Sequence, residues 1–332
     1  MLQFKEMHDF IAIGDLVIDA FIKLKDATVH CDINNEHCTI TMRFGDKIPY
    51  ESVEVVYAVG NSSNAAVSAA RLGLSSALVS PLGNDQNGKE CLASLTKDKV
   101  GTEFVSVQEG KTNYHYVLWY ADDRTILVKH EKYEYHMPDI GSPKWLYLSS
   151  LGEHTRDFHK EIAAYVKSHP EVKLAFQPGT FQIAMGKDEL KEIYEATDIF
   201  FCNVEEAERI LGVNTLGTAE LMKRMRALGP KNVILTDGHN GAYAYDGTDM
   251  WQVPIYPDPK PPYERTGSGD AFASTTVVAT ILGQDLPHAM QWGAVNSMSV
   301  VQQVGAQKGL LSREKLEEYL KNAPPTFVPK KL

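Results

Sequence analysis

The stretch Thr266-Gly267-Ser268-Gly269-Asp270-Ala271-Phe272 says more about fold and chemistry than any other part of the chain. Two glycines flank a serine, an acid follows at once, and a run of small, helix-tolerant residues comes next. Small residues ahead of a helix let backbone N–H groups converge on an anion at its N-terminus. The helix dipole also favours an ionised acid in the first turn. The pattern therefore predicts a loop-to-helix junction with an anion cradle beside a carboxylate.

This junction has the parts that phosphoryl transfer requires. We interpret Asp270 as a general base that accepts a proton from an attacking hydroxyl group. The N–H groups of Gly267, Ser268 and Gly269 would stabilise the charge that develops on the transferred group. An acidic helix cap after a glycine turn explains the same residues. The interpretation therefore depends on the residues that accompany the motif.

The composition indicates a globular chain and disfavours two classes of partner. The 332 residues carry a formal net charge of −10, which disfavours nucleic acids and anionic membranes as partners. No apolar run reaches membrane-spanning length, and residues 1–6 lack the basic-then-apolar order of a signal peptide. Four cysteines in so long a chain do not make a disulfide framework. We therefore expect a cytoplasmic protein.

Strand and helix patterns alternate along most of the chain and predict an α/β fold. Short apolar strands are predicted at 11–14, 77–82, 145–148, 173–176, 199–202 and 232–236. Helices are predicted at 64–72, 158–166, 189–196, 205–211 and 219–228, and two or three more end the chain. Such an alternation forms a mostly parallel central sheet flanked by helices. We expect a single domain of this kind over residues 1–332.

Two segments interrupt the alternation, at about 20–59 and about 109–135. Their residues alternate between apolar and polar, which is typical of half-exposed strands. Antiparallel strands inserted between α/β units would form a small accessory β-sheet. We interpret this sheet as a lid over a cleft. An extension of the edge of the main sheet is the alternative.

Asn203 and Glu206 follow directly after a predicted strand. Their i, i+3 spacing puts both side chains on one face of a helical turn. An amide and a carboxylate so placed could hold the water shell of a Mg²⁺ ion, which keeps several waters when it binds near phosphates. A helix N-cap with its capping-box acid gives the same pattern, and on these residues alone it is the better explanation.

Thr236-Asp237-Gly238 ends another predicted strand, and Gly241 follows it. A hydroxyl group and glycines at the carboxyl end of a strand suit the phosphates of a nucleotide, because α/β sheets bind ligands along that edge. We therefore interpret Thr236, Gly238 and Gly241 as nucleotide-binding residues. An ordinary turn would contain the same residues.

The N-terminal half offers a candidate site for a polyhydroxylated ligand. Asp19 ends the first strand region, and Gly60-Asn61-Ser62-Ser63-Asn64 leads into a predicted helix. Asp and Asn side chains can bind vicinal hydroxyl groups, and Gly60 permits a hinge or a close approach. A strand-end acid and a polar helix cap are the alternative. The predicted substrate-binding residues are Asp19, Gly60, Asn61 and Asn64.

In this order the motifs resemble those of the ribokinase-like, or PfkB, carbohydrate kinase family, over nearly the whole chain. Residues 266–270 match the C-terminal signature of that family, with its catalytic Asp and anion-hole glycines. Asn203-Val204-Glu205-Glu206 matches its Asn-x-x-Glu element, and Thr236-Asp237-Gly238 resembles its nucleotide-binding Thr-x-Gly. Residues 60–64 resemble the N-terminal signature, and Asp19 matches the acid that binds sugar hydroxyls.

The resemblance implies ATP-dependent phosphorylation of a hydroxymethyl group on a small sugar, with Mg²⁺ near Asn203 and Glu206. It also implies a ribokinase-like core with a β lid that often serves in dimerisation, so we expect a homodimer formed through the lid. ATP is expected along the carboxyl edge of the sheet, near the helix that contains Asn296. A nucleoside of the adenosine, cytidine or guanosine type is the closest alternative acceptor.

Glu264-Arg265 departs from the family pattern, which has Asp-Thr at these places. Backbone carbonyls near there can hold a monovalent cation in the family, so the departure argues against activation by potassium. Arg265 could instead supply positive charge near the phosphates. The departure also favours a further alternative, a catalytically silent sugar- or nucleotide-binding protein, although Asp270 and both anion-hole glycines are present.

A hairpin within the first lid segment contains two cysteines. If Asn34-Asn35 forms a two-residue turn, Cys31 lies opposite Cys38. A zinc site that adds His30 and His37 is disfavoured, because neighbouring residues of a strand point to opposite faces. We expect two facing, reduced thiols, with a disulfide only under oxidation.

Overall fold

The computed structural model describes residues 7–31, 38–120 and 123–332. Elements are numbered in chain order. The helices are α1 (Asn61–Arg71), α2 (Gln86–Lys97), α3 (Arg156–Ser168), α4 (Thr180–Met185), α5 (Lys191–Ala196), α6 (Val204–Leu211), α7 (Thr218–Arg226), α8 (Ser268–Ile281), α9 (Leu286–Val300) and α10 (Arg313–Lys321). The strands of the central sheet are β1 (Phe10–Ile13), β6 (Ser76–Gly83), β7 (Val100–Gly101), β8 (Val105–Gln108), β11 (Trp145–Leu148), β12 (Lys173–Phe176), β13 (Ile199–Asn203), β14 (Asn232–Thr236), β15 (Ala242–Tyr245), β16 (Met250–Val253) and β17 (Lys330–Lys331).

The central sheet has the order β17-β16-β15-β14-β13-β12-β11-β1-β6-β7, with β8 also paired to β6. Its pairings from β14 to β7 are parallel, and β15, β16 and β17 add an antiparallel edge. Strand β1 shows why the strands are continuously apolar: Phe10 and Ala12 enter one core, and Ile11 and Ile13 enter the other. The predicted α/β fold, mostly parallel and flanked by helices, is confirmed.

A second sheet contains β2 (Val17–Leu24), β5 (Tyr50–Val59), β9 (Tyr114–Tyr120) and β10 (Asp123–Leu127), in the order β10-β9-β2-β5. We call this sheet the lid. Its β2–β9 pairing is parallel, whereas we expected antiparallel strands throughout. The difference follows from the main sheet, because β2 and β9 come directly after β1 and β8, which run in the same direction.

The underside of the lid packs on the body of the protein. Phe21, Val117 and Trp119 form a buried cluster with Val304, which lies on the loop after α9. The ring of Trp119 also meets that of Tyr263 edge-to-face, with 5.2 Å between centroids. The lid therefore packs directly against the body.

The cysteine hairpin consists of β3 (Thr28–His30) and β4 (Thr39–Thr41). His30 pairs with Thr39, so the expected register that sets Cys31 opposite Cys38 is confirmed. The two cysteines are joined in a disulfide, and the expectation of reduced thiols is wrong. Facing residues of an antiparallel pair bring their Cβ atoms close enough for this bond. The expected turn at Asn34-Asn35 lies outside the described residues.

No helix in the described ranges is both long and apolar enough to cross a membrane. The buried helices α8 and α9 instead pack closely against each other in the larger of the two cores. Gly293 makes this approach feasible, because a Cβ atom there would lie 2.5 Å from Thr276 Oγ1 and 2.6 Å from the Phe272 carbonyl oxygen. The close packing of α8, which begins at the glycine motif, therefore depends on glycine having no side chain at position 293 of α9.

We expect Gly293→Ala to lower the free energy of unfolding by about 1–3 kcal/mol, because the added methyl group forces the two helices apart. Urea denaturation monitored by circular dichroism measures the change. Gly217→Ala is the matched control, since its Cβ would meet no atom within 4 Å. Equal effects of the two substitutions would contradict this account of the packing.

Candidate active site

Asp270 lies in the first turn of α8, directly after the glycine loop. Gly267 caps the helix with a left-handed backbone, φ 79°, and a Cβ atom there would lie 2.2 Å from the Ala306 Cβ atom. Only glycine combines this backbone with so close an approach. The loop thus brings its N–H groups and the Asp270 carboxylate to the same end of α8, as the sequence predicts.

The Asp270 carboxylate is buried and accepts hydrogen bonds from three amide side chains. Asn61 Nδ2 donates to Oδ1 and Asn64 Nδ2 donates to Oδ2, each at 2.8 Å, and Gln177 Nε2 donates to Oδ1 at 3.2 Å. Burial raises the pKa of Asp270 above its ordinary value, and the three amides oppose that rise because they stabilise the charged form. The structure therefore brings the predicted residues Asn61 and Asn64 onto the predicted base.

Two of these amides are oriented by further hydrogen bonds. The buried Tyr147 hydroxyl donates to Gln177 Oε1. Gln307 Nε2 donates to Asn64 Oδ1 at 3.0 Å and to the Ala58 carbonyl oxygen at 2.7 Å. These contacts fix which end of each amide faces Asp270. The sequence analysis missed Gln177 and Gln307, because neither lies in a recognisable motif.

On the lid side, Asp19 of β2 faces His115 of β9 through the parallel register of the two strands. Asp19 Oδ1 lies 3.4 Å from His115 Nδ1. Within the described residues, Asp19 Oδ1 and His115 Nε2 are buried without a hydrogen-bond partner. Buried polar atoms are normally satisfied, so these two atoms mark a place for a polar ligand or water. The sequence pointed to Asp19 but not to His115.

A second acid and imidazole lie next to this pair. Asp15 follows β1 and accepts hydrogen bonds from His130 Nδ1 (2.9 Å), the Tyr135 hydroxyl (2.8 Å) and the Gly152 N–H (2.7 Å). The His130 ring lies 5.3 Å from that of His115 and 5.4 Å from that of Phe181, centroid to centroid. Sequence analysis missed this cluster, since its members come from separate segments.

Gly60 serves a close approach at the junction of lid and body. It has φ 102°, and a Cβ atom there would lie 2.6 Å from the Asp15 carbonyl oxygen. The backbone that enters α1 therefore lies directly against the strand end that carries Asp15. This contact fixes Asn61 and Asn64 relative to the end of β1.

A cavity of about 210 Å³ lies beside the glycine loop. It joins the predicted residues of the β14 end to those of the loop: Thr236, Gly238, Gly241, Ser268 and Gly269. Arg265 and His239 add basic groups to its lining, and Val253, Tyr256, Phe272 and Met298 add apolar ones. A nucleotide needs this combination of a polar end for phosphates and an apolar part for its base.

Asn296 does not line this cavity, although we expected it beside ATP. Its side chain is fully buried, donates to Thr275 Oγ1 at 2.7 Å and accepts from the Leu311 N–H at 2.9 Å. Both ends of the amide are therefore used inside the protein, where it holds α9 against α8. Ser297 and Met298, the next residues of the helix, reach the cavity instead.

Asn203 and Glu206 form a capping box at the start of α6. Asn203 Oδ1 accepts from the Glu206 N–H at 2.7 Å, and Glu206 Oε2 accepts from the Asn203 N–H at 2.9 Å. Burial raises the pKa of Glu206, and the nearby charge of Asp270 contributes to the rise. The capping box that these two residues form does not exclude a second role for them in holding the water shell of Mg²⁺.

The chain matches the sequence pattern of pfkB family carbohydrate kinases over residues 24–313. The ATP-dependent 6-phosphofructokinase of Thermoanaerobacterium thermosaccharolyticum is 24% identical, with 90% of this chain and 89% of the relative covered. A nucleoside kinase of Methanothermobacter thermautotrophicus is 25% identical over 76% of this chain and 80% of its own. Ribokinase of Arabidopsis thaliana, solved with ribose and ATP, superposes with a TM-score of 0.78 at 21% identity, covering 95% of this chain and 99% of its own. The chain belongs to the pfkB family of carbohydrate kinases and is an ATP-dependent kinase of sugars or nucleosides.

Proposed function

We propose that this chain transfers the terminal phosphoryl group of ATP to a hydroxymethyl group of a small sugar, with Asp270 as general base. The position of Asp270 carries the proposal. Ser268 and Gly269 line the cavity at the end of β14. Asn61 and Asn64, which follow lid strand β5, donate hydrogen bonds to the carboxylate of Asp270, the residue after Gly269. The base therefore lies between the nucleotide side and the lid side of the site.

The carboxyl edge of the sheet supports the same order of parts. Thr236 ends β14, Asn203 ends β13, Gln177 follows β12 and Asp15 follows β1, and these strands are arranged in that order with β11 between the last two. Nucleotide, metal, base and acceptor would then occupy successive positions along one edge. The acceptor hydroxyl would then lie next to both the Asp270 carboxylate and the terminal phosphate, as direct attack on phosphorus requires.

In the reaction, an acceptor hydroxyl oxygen attacks the terminal phosphorus and its proton passes to an Asp270 carboxylate oxygen, as ADP leaves. The amides of Asn61, Asn64 and Gln177 aim the carboxylate, and burial excludes competing water. The N–H groups of residues 267–269 stabilise the charge on the transferred group.

Mg²⁺ would be held near Glu206 and Asn203 through water, and the donor set fits this cation. Burial raises the pKa of Glu206 and that of Asp270, and the charge of Asp270 adds to the rise at Glu206. A divalent cation beside them would compensate that charge. When bound, Mg²⁺ neutralises charge on the phosphates of ATP.

A nucleoside is the second candidate acceptor. The rings of His115, His130 and Phe181 cluster beside Asp19, where a ribose would bind, and aromatic rings can stack on a nucleobase. Asp19 and the histidine nitrogens could equally bind the hydroxyl groups of a free sugar. The cluster therefore supports a polar acceptor of either kind, and direct assay must choose.

The proposal is tested by an ATP-consumption screen over free sugars, sugar phosphates and nucleosides, with and without potassium. We expect a free sugar to support turnover and Asp270→Asn to lower kcat by a factor of about 10²–10⁴, with ATP affinity by calorimetry unchanged. Asp285→Asn, at the exposed cap of α9, is the matched control. A preference for nucleosides would favour the second candidate, and near-normal turnover of Asp270→Asn would remove Asp270 from the mechanism.

The pH dependence of kcat/KM should show the raised pKa of Asp270. The base acts when ionised, so activity is lost as the pH falls through a pKa that lies above the ordinary aspartate value of 3.8. Gln177→Met removes a donor that stabilises the charged form, so we expect the acidic limb to move to higher pH. Gln86→Met, which alters an exposed contact to Glu90, should leave the profile in place. A limb that moves to lower pH would contradict the role of Gln177.

We extend the proposal to a homodimer formed through the outer face of the lid. Strand alternation sends Asp19 and Phe21 toward the body and their neighbours to the opposite face. That face presents exposed apolar side chains, with Val55 paired to Ala20 in register and Leu127 paired to Tyr116. Burial of these side chains against a second copy would remove them from water.

We expect Val55→Glu to convert the dimer to a monomer, because the new carboxylate would lie buried within the interface. Analytical ultracentrifugation measures the change in mass. Val107→Glu, on the exposed strand β8 of the body, is the matched control and should remain dimeric. A wild-type protein that sediments as a monomer at micromolar concentration would overturn the dimer proposal.

A further inference from the structure

Glu264 is a buried acidic residue, with only 1% of its surface exposed. It lies two residues before the glycine loop, at a place where the sequence departs from the family pattern. Its carboxylate oxygens are in contact with three separate segments: the glycine loop, the loop after α9 and the lid. A buried carboxylate with so many contacts requires an explanation.

Glu264 holds the start of the glycine loop. Its Oε1 atom accepts hydrogen bonds from the Thr266 N–H at 2.8 Å and from the Thr266 hydroxyl at 2.5 Å. Its Oε2 atom accepts from the Gly305 N–H at 3.3 Å. Because Gly267 follows Thr266 directly, these bonds determine where the anion cradle begins.

The positive charge opposite Glu264 comes from the lid. Arg124 of β10 places its Nε atom 3.5 Å from Glu264 Oε1. In the lid register Arg124 pairs with Trp119, whose ring contacts Tyr263, the residue before Glu264. The ion pair and the ring contact therefore lie side by side at the junction between lid and glycine loop.

We propose that Arg124 is a positioning residue that couples closure of the lid to the geometry of the anion cradle. The inference rests on the proposed kinase function. A buried carboxylate is costly unless a positive charge compensates it. Because the lid supplies that charge, Glu264 is fully compensated only with the lid closed. Closure over an acceptor therefore stabilises the position of Thr266, and the cradle is complete only when the acceptor is enclosed.

Turnover of three variants tests the coupling. Arg124→Met should lower kcat/KM for the acceptor by about tenfold or more, because the buried Glu264 carboxylate loses its cationic partner. Arg124→Lys, which keeps the charge, should recover part of the loss. The double variant Arg124→Met/Glu264→Gln should be faster than Arg124→Met alone, because the amide oxygen still accepts from Thr266 and the neutral group needs no cation, although its NH2 group no longer accepts from the Gly305 N–H. Thr125→Ala, at the exposed neighbouring residue, is the control and should match the wild type.

Amide hydrogen exchange provides a readout that does not depend on turnover. The Thr266 N–H is protected by Glu264, so its exchange should be faster by about tenfold in Arg124→Met and close to the wild-type rate in the double variant. Equal exchange in all variants, or a double variant with turnover no faster than that of Arg124→Met, would overturn the proposal. Lack of wild-type turnover with every acceptor, combined with the expected exchange pattern, would instead reject the kinase proposal and leave the coupling intact.

Discussion

Burial of one carboxylate constrains the whole active site. Asp270 is withdrawn from water and must be compensated, and it carries no cation in direct contact among its hydrogen-bond partners in the described ranges. Three neutral amides donate hydrogen bonds to it, two from α1 and one from the residue after β12. Neutral donors stabilise the ionised carboxylate, but the pKa of Asp270 stays above its ordinary value, so the carboxylate can still accept a proton. Helices α1 and α8 must therefore meet at a fixed distance from the sheet.

Local sequence was sufficient to predict most of the fold and to place several candidate residues at strand ends and at the start of helices. The apolar strands and the helix after residues 266–270 depend on short-range patterns, and the structure places them as expected. Asp270, Thr236 and Gly241 were chosen as candidates because loops at strand ends and glycine turns have their own sequence signals. The structure places Thr236 and Gly241 around one cavity with Gly269, the residue before Asp270. Each of these features requires no knowledge of which segments meet in space.

The remaining parts depend on contacts between distant segments. His115 reaches Asp19 only through the parallel β2–β9 register, which no local pattern encodes. Asn296 was assigned to the nucleotide, but a polar side chain in a helix can equally satisfy groups inside the core, as it does with Thr275. The disulfide between Cys31 and Cys38 was missed although the register was right, because spacing alone does not give the oxidation state. Pairing between distant segments and the oxidation state of cysteines therefore could not be predicted from local sequence.

The apolar cluster beneath the lid has a kinetic consequence. Phe21, Val117 and Trp119 of the lid leave contact with Val304 of the body whenever the lid lifts. Re-exposing such side chains costs about 1.5–3 kcal/mol for each one that becomes fully accessible, and the freedom gained by the lid offsets part of this. A net difference of about 3 kcal/mol would leave the lid open for on the order of 1% of the time. Escape of the phosphorylated product would then wait for a rare opening, so that lid motion rather than bond-making would limit the rate of the enzyme.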